Sequence, residues 1–265
     1  MTAPVVELRD VTKSYGRTQV LHGVDLAVRA GAVTCVLGDN GAGTSTLIKV
    51  LAGAHRPTTG ELLVDGEPAA FGSPQDALRA GIATVYQDLA LVDLMPVWRN
   101  FFLGTELTGG ASPARDGRRR PFGRLRQGEM RQIAERELAR LGVELDDVDR
   151  PVGTLSGGQR QSVAIARAEY LGARVLVLDE PTAALGVRQS GTVLRLVAAA
   201  RDRGVAVVMV THNPAHALAV GDHFTVLAGG RVLRAADAGD VTHEELVALM
   251  AGGAELADLA SELRR

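Results

Sequence analysis

Lysine is nearly missing from this chain: of its 29 basic residues only Lys13 and Lys49 are lysines. Aromatic residues make up 3% of the sequence, and the one cysteine, Cys35, excludes an internal disulfide. Excess charge of either sign is also lacking, since 29 basic residues face 31 acidic ones for a net charge of −2. That balance excludes a nucleic-acid binder working by bulk positive charge, and an acidic disordered tail. No apolar run approaches the roughly 20 residues of a membrane-spanning helix. The best, Val205–Val210, has the length of a strand, so any membrane must be crossed by another chain. The opening residues, MTAPVVELRD, lack the basic and apolar regions of a signal peptide. The expectation is a protein of the reducing cytoplasm with no nucleic-acid partner.

What is plentiful is glycine, 31 of 265 residues, a density that marks tight loops where backbone meets ligand. The 46% of hydrophobic residues suffices for the core of one large domain or two small ones. Short β-rich runs alternate with helical stretches. Val5–Leu8 and Gly23–Val28 read as strands; Val33–Leu37 is an apolar run ending in GDNGAG, with a helix predicted over Ser45–Leu51 and stopped by Gly53. Ile82–Tyr86, Val175–Leu178 and Val205–Val210 read as core strands, with helices near Arg160–Leu171 and Arg188–Arg201. Right-handed crossovers place these strands in one mostly parallel sheet.

Residues from about 92 to 150 break the rhythm. They hold Trp98, Phe101 and Phe102, then a turn-rich stretch with Arg115, Arg118, Arg119, Arg120, Arg124 and Arg126. An amphipathic helix follows around Gln127–Leu141, with Met130, Ile133, Leu138 and Leu141 as its buried stripe. The segment reads as a helical subdomain inserted in the sheet domain, and the arginines as a solvated loop.

Three motifs carry chemistry. Gly38–Thr46 (GDNGAGTST) fits the phosphate-binding pattern GxxxxGK[ST] except that Thr44 stands where lysine belongs. Gly41 and Gly43 let the backbone turn its amides toward phosphate, Ser45 can ligate Mg²⁺, and a helix N-terminus attracts anions. About 135 residues later, VLVLDE ends a strand in Asp179, able to hold Mg²⁺ through a water, and Glu180, able to polarise an attacking water. Alone, the first motif also suits a bare glycine-rich turn and the second a helix cap. Between them Leu155–Gln159 (LSGGQ) exposes the amides of Ser156, Gly157 and Gly158 at a helix start, a second phosphate-binding end within one chain.

At these residues the sequence resembles the ATP-binding cassette family, the nucleotide-binding subunits of ABC transporters, from Val5 to about Met250. The resemblance implies an α/β fold: a P-loop NTPase (RecA-like), mostly parallel sheet core with an antiparallel β subdomain and an inserted helical subdomain at about 92–172. One cassette would span 5–250, with a C-terminal tail over 251–265. It implies ATP and Mg²⁺ as ligands. Nucleotide would be held by Tyr15 (stacked on adenine), by Gly38, Asp39, Asn40, Gly41, Ala42, Gly43, Thr44, Ser45 and Thr46, and by Ser156, Gly157, Gly158 and Gln159 of a second copy. Gln87 would join Mg²⁺ to the helical subdomain, alongside Ser45 and Asp179 as metal ligands, and Glu180, His212 and Gln87 would serve catalysis. GDNGAG and DEPTAALG resemble the carbohydrate-importer branch (ribose, xylose or fructose type), although Gly186 replaces an aspartate usual in cassettes. The implied partners are a second cassette, most simply a second copy, a transmembrane permease and, indirectly, a sugar-binding protein. The implied place is cytoplasmic, peripheral on the inner face of the cell membrane.

Thr44 departs from the pattern where it matters most. A hydrogen bond to a charged group is worth about 1.5–3 kcal/mol, so its loss predicts ATP affinity about ten- to hundredfold lower, and a larger loss in the transition state. Lys49 lies five residues along the helix, about 140° around, and cannot substitute. Two functions follow: an importer ATPase with impaired turnover, or a cassette that binds nucleotide without hydrolysing it in a regulatory or partner role. A soluble relative acting in translation or DNA repair would carry two cassettes or long coiled coils, and this chain has neither.

Overall fold

A computed structural model describes residues 3–109, 123–143 and 145–250. In chain order, β1 (Val6–Tyr15), β2 (Thr18–Val28) and β3 (Val33–Leu37) lead into α1 (Thr44–Leu51), followed by β4 (Thr59–Val64), β5 (Glu67–Pro68), α2 (Pro74–Arg79) and β6 (Ile82–Val85). Next come α3 (Val97–Phe101), the short pair β7 (Thr108–Gly109) and β8 (Arg124–Leu125), α4 (Gln127–Arg140) and α5 (Gly157–Tyr170). The chain continues through β9 (Val175–Asp179), α6 (Val187–Asp202), β10 (Ala206–Thr211), α7 (Pro214–Val220), β11 (His223–Ala228), β12 (Arg231–Asp237) and α8 (His243–Met250). Among the described residues no helix is long and apolar enough to cross a membrane.

Two sheets form the frame. The larger has the order β12-β11-β3-β10-β9-β6, parallel except for the β11–β12 hairpin, and the smaller, β2-β1-β4-β5, is antiparallel. Strands of the larger sheet are buried on both faces, which is why they read as unbroken apolar runs. Val33, Cys35 and Leu37 face one core with Leu176, Leu178 and Met209. Val36, Val177, Val208 and Val210 face the other, against α1 and the smaller sheet. Burial raises the Cys35 thiol well above its ordinary range, so it is unreactive.

The helices between β6 and β9 close over the first core. Met130, Ala134 and Leu138 form the buried stripe of α4, with Leu141 just past its end and Ile133 only half-buried. Phe101 and Phe102 are fully buried and pack against Tyr170 with ring centroids 5.3–5.4 Å apart. Trp98 is buried too; its Nε1 donates to Asp149 Oδ1 at 2.8 Å, and the Arg131 guanidinium lies 4.8 Å from its ring centre. These three aromatics are therefore the core of the helical unit. The large apolar side chains that the 89–103 stretch does present to solvent are Val92 and Leu94, the latter 90% exposed. Arg115, Arg118, Arg119 and Arg120, and the tail 251–265, lie outside the described residues.

Candidate functional site

β3 ends in a loop whose shape requires glycine. Gly41 and Gly43 sit at φ 83° and 103°, in the left-handed region, and a Cβ at Gly38 would come within 2.7 Å of the Leu227 carbonyl oxygen. The loop folds on itself through Ala42 N–H to Asp39 O at 3.0 Å, while Asp39 Oδ1 accepts the Asn40 amide at 2.7 Å. Thr46 and Leu47 N–H both return to Gly43 O at 3.0 Å. The amides of Gly41, Gly43, Thr44 and Ser45 have no acceptor among the described residues. Four free donors at the mouth of a helix N-terminus form an anion nest. Thr44 is half-buried with its methyl turned toward Gly38, and the Ser45 side chain faces solvent.

The loop is fixed from the far side. Gly230, in the turn between β11 and β12, donates its amide to Ala42 O at 2.9 Å and accepts the His22 amide at 2.9 Å. Its φ is 73°, and a Cβ there would stand 1.9 Å from Val20 O, so only glycine fits. The sequence reading missed this residue; the Gly229-Gly230 dipeptide was the turn signal that marks it.

The acidic pair lies on β9, two strands from β3. Asp179 is half-buried, and its carboxyl is pushed above the ordinary range, first by burial and then by the like charges of Glu180 and Asp88; Lys49 acts in the opposite sense. Lys49 thus stands in the field of Asp179. Glu180 occupies φ 47°, and its Oε1 accepts the His212 amide at 2.9 Å and lies 2.8 Å from His212 Nδ1. Thr182 Oγ1, two residues on, meets His216 Nδ1 at 2.9 Å, tying the segment after β9 to α7. Gln87 is exposed just beyond β6, whose Val85 pairs with Leu178, so the strand register brings it alongside the Asp179 end of β9. Tyr15 ends β1 at 42% exposure, its ring edge-on to His55 at 5.4 Å and 5.3 Å from Lys13 Nζ.

Residues 156–159 stand apart from this group. Ser156 caps α5 with a reciprocal pair: Gln159 N–H to Ser156 Oγ at 3.3 Å and Ser156 N–H to Gln159 Oε1 at 3.0 Å. The Gln159 side chain is thereby committed to the cap. Gly157 is held against Leu185, where a Cβ would approach to 2.6 Å. α5 packs on β6, which β9 and β10 separate from β3, a span of about 14 Å at ~4.8 Å per strand. No hydrogen bond among the described residues joins 156–159 to 38–46.

Sequence reasoning also missed Asn100, which is fully buried in α3. Its Oδ1 accepts the Val92 amide at 2.8 Å, and its Nδ2 donates to the carbonyls of Val92, Met95 and Pro96 at 3.0–3.3 Å. One side chain thus fixes the loop carrying Val92 and Leu94.

Comparison with known proteins agrees with this geometry. Residues 21–183 match the family model described as ABC transporter. The ribose import ATP-binding protein RbsA 2 of Escherichia coli O157:H7 is 38% identical over 263 residues, which are 99% of this chain and 49% of that protein, so the chain spans about half its length. The fructose import ATP-binding protein FrcA of Rhizobium meliloti is 40% identical over 253 residues, 95% of each chain. Among solved structures, the ADP conformation of MJ1267, an ATP-binding cassette of an ABC transporter, superposes with a TM-score of 0.78 at 25% identity over 94% of this chain and 96% of that one. A dimeric post-hydrolysis state of the cassette MJ0796 bound to ADP and Pi gives 0.71 at 27% identity over 89% and 100%.

Proposed function

Because the chain belongs to the ABC transporter family, we propose that it is the ATP-binding subunit of an importer, with a sugar as the transported solute. The observation that carries this reading is the pairing of an intact amide nest at Gly38–Ser45 with the Glu180–His212 contact on the neighbouring strand ends. ATP phosphates fit the nest, and Tyr15 offers an exposed face for the base. Mg²⁺ fits the donor types present: the exposed Ser45 hydroxyl at the start of α1, and Asp179, whose carboxyl is crowded by Glu180 and Asp88, so that a divalent cation would relieve like-charge repulsion. Such an ion would neutralise charge on the phosphates, with Gln87 placed to serve as a further ligand. Glu180 then orients water while His212 holds the carboxylate.

The second phosphate-binding end, Ser156–Gln159, serves a nucleotide on a second cassette, since one subunit keeps its two ends apart. That MJ0796 forms a dimer and that RbsA 2 and FrcA are named for ribose and fructose import supports this assembly and its solute class. We read 5–250 as one cassette with its helical subdomain at 92–172, working on the inner face of a membrane beside a permease and, through it, a sugar-binding protein. The groove of about 250 Å³ between α2, β6 and α5, walled by Leu78, Val85, Leu89, Ala164 and Ala168 with the half-buried Arg167, is where the permease docks.

Thr44 favours a second reading, nucleotide binding without turnover, because no cation on the loop itself stabilises the departing phosphoryl group. Titration with ATP and Mg²⁺ beside a phosphate-release assay separates the two. Binding with turnover supports the importer ATPase, binding without turnover the silent cassette, and no binding defeats both.

A further inference from the structure

The side chains of the phosphate loop give it the wrong charge for a polyanion. Gly38–Thr46 contains one carboxylate, Asp39, and no cation, so its side chains sum to −1. All attraction for phosphate therefore comes from backbone: the free amides of Gly41, Gly43, Thr44 and Ser45 and the N-terminal end of α1. Amides are short-range donors, and these four serve the phosphate that lies in the nest. A lysine at position 44 would reach past that phosphate to the next one. Thr44 carries only a hydroxyl and a methyl, and the methyl is turned back toward Gly38.

No other cation takes up the position. Lys13 donates its ammonium to Arg56 O at 2.8 Å, beside the Tyr15 ring, and Lys49 is exposed five residues along α1. Among the described residues, no arginine or lysine side chain hydrogen-bonds to 38–46. What stands beyond the nest is acidic. Val210 of β10 is in register with Val36 of β3 on one side and with Asp179 of β9 on the other. Asp179 thus ends β9 level with the end of β3, two strand spacings or about 10 Å away. Glu180 follows it, and the charges of Glu180 and Asp88 both reach Asp179. A third phosphate brings further negative charge into this field, with nothing on the loop to meet it. Resting on the reading that this loop binds nucleotide, we propose that Thr44 sets its selectivity: without Mg²⁺ the site prefers a nucleoside diphosphate to the triphosphate, and it takes the triphosphate together with the ion. Mg²⁺ carried in with the triphosphate would supply the positive charge that the loop lacks. In a mixture of the two nucleotides, the diphosphate is then a strong competitor, and occupancy by triphosphate follows their ratio.

The test is calorimetric titration of the whole chain with ADP and with ATP, each in EDTA and in excess Mg²⁺ at one ionic strength. In EDTA, ADP should bind about threefold or more tighter than ATP, and Mg²⁺ should strengthen ATP by about tenfold or more while changing ADP only a few-fold. Thr44→Lys should tighten ATP by about tenfold or more in EDTA and place it ahead of ADP, with circular dichroism verifying that the variant is folded. The order of the two nucleotides in the unaltered chain is read without any variant. ATP binding tighter than ADP in EDTA, or a folded Thr44→Lys chain with unchanged ATP affinity there, would overturn the proposal. Uptake of neither nucleotide with Mg²⁺ present would defeat the nucleotide-binding reading itself, and the proposal with it.

Discussion

Glu180 and His212 meet twice, the carboxylate oxygen Oε1 receiving the His212 backbone amide at 2.9 Å and standing 2.8 Å from its Nδ1. The Glu180 side chain is largely buried while that of His212 is mostly exposed, so the pair joins a fixed carboxylate to an imidazole that solvent or a ligand can reach. The left-handed backbone at Glu180 is a strained conformation for a residue with a Cβ, and the two contacts from His212 help to hold it.

With that pair in place, Thr44→Lys is expected to raise ATP hydrolysis by about 10²-fold or more, because it adds a cation where charge grows as the phosphoryl group leaves. Phosphate release by the two proteins at saturating ATP measures this. Adding His212→Ala to Thr44→Lys should remove most of the gain while ATP affinity changes only a few-fold. Equal rates for the original and Thr44→Lys proteins, with ATP bound by both, would move the fault to Gly186 and the cassette interface.

Ser156→Arg should abolish ATP-dependent dimerisation and leave the nucleotide affinity of the single chain nearly intact. Loss of the α5 cap lowers stability by about 1 kcal/mol, so melting is followed in parallel. Light scattering with and without ATP reads the association. Equal loss of binding and association would defeat the two-copy arrangement.

Asp179 gives a pH prediction. A carboxyl whose folded-state pKa lies above its unfolded value holds its proton more tightly when folded. The stability it confers is thus full below the ordinary carboxylate range and is lost as pH rises through the elevated pKa. Asp179→Asn should therefore raise the melting temperature of the ligand-free chain at neutral pH, with the difference shrinking to nothing in acid. In the same variant, Mg²⁺ should contribute less to nucleotide affinity. A difference that stays constant from pH 3 to pH 7, on the order of the carboxylate range, would contradict the assignment.

Asn100→Ala removes four hydrogen bonds from a buried position and strands the Val92 amide, which should cost about 2–3 kcal/mol in denaturant unfolding. Proteolysis at residues 92–96 should rise at the same time. Stability within a few tenths of a kcal/mol would show that water replaces the side chain.

Under the proposed importer role, cysteines placed at Ala90, Val92 and Leu94 should cross-link to a permease co-expressed with the chain, and those at Trp98, Phe101 and Phe102 should not. The native Cys35 is buried and does not interfere. Absence of cross-links from all three exposed positions in an assembled complex would count against docking there.

The sequence made the parallel core legible because strands buried on both faces are continuous apolar runs, as at Val33–Leu37, which matches β3 residue for residue. β1 was read as far as Leu8 although it runs to Tyr15. Asp10 sits at φ 46° and the register with β2 shifts after Leu8, Val11 and Lys13, so the two-residue alternation is broken along its length. The β11–β12 hairpin escaped for a similar reason, a shift between Val226 and Leu227 combined with a largely exposed β12. The loop at 38–46 and the cap at 156–159 are legible because their local backbone demands particular residue types. The Glu180–His212 and Ala42–Gly230 contacts are not, because nothing near either residue encodes a partner that far along the chain.

The hold of Gly230 on Ala42 also sets a timetable. The phosphate loop occupies residues 38–46, yet the carbonyl that crowds Gly38 and the amide that pins Ala42 belong to residues 227 and 230. A ribosome adding about 5–20 residues per second reaches them roughly 10–40 s after finishing the loop. Through that interval the nest lacks its far wall, so the emerging chain has no finished phosphate site to offer the ATP around it. Nucleotide can act as a folding ligand only after β11 and β12 have left the ribosome and closed the sheet edge.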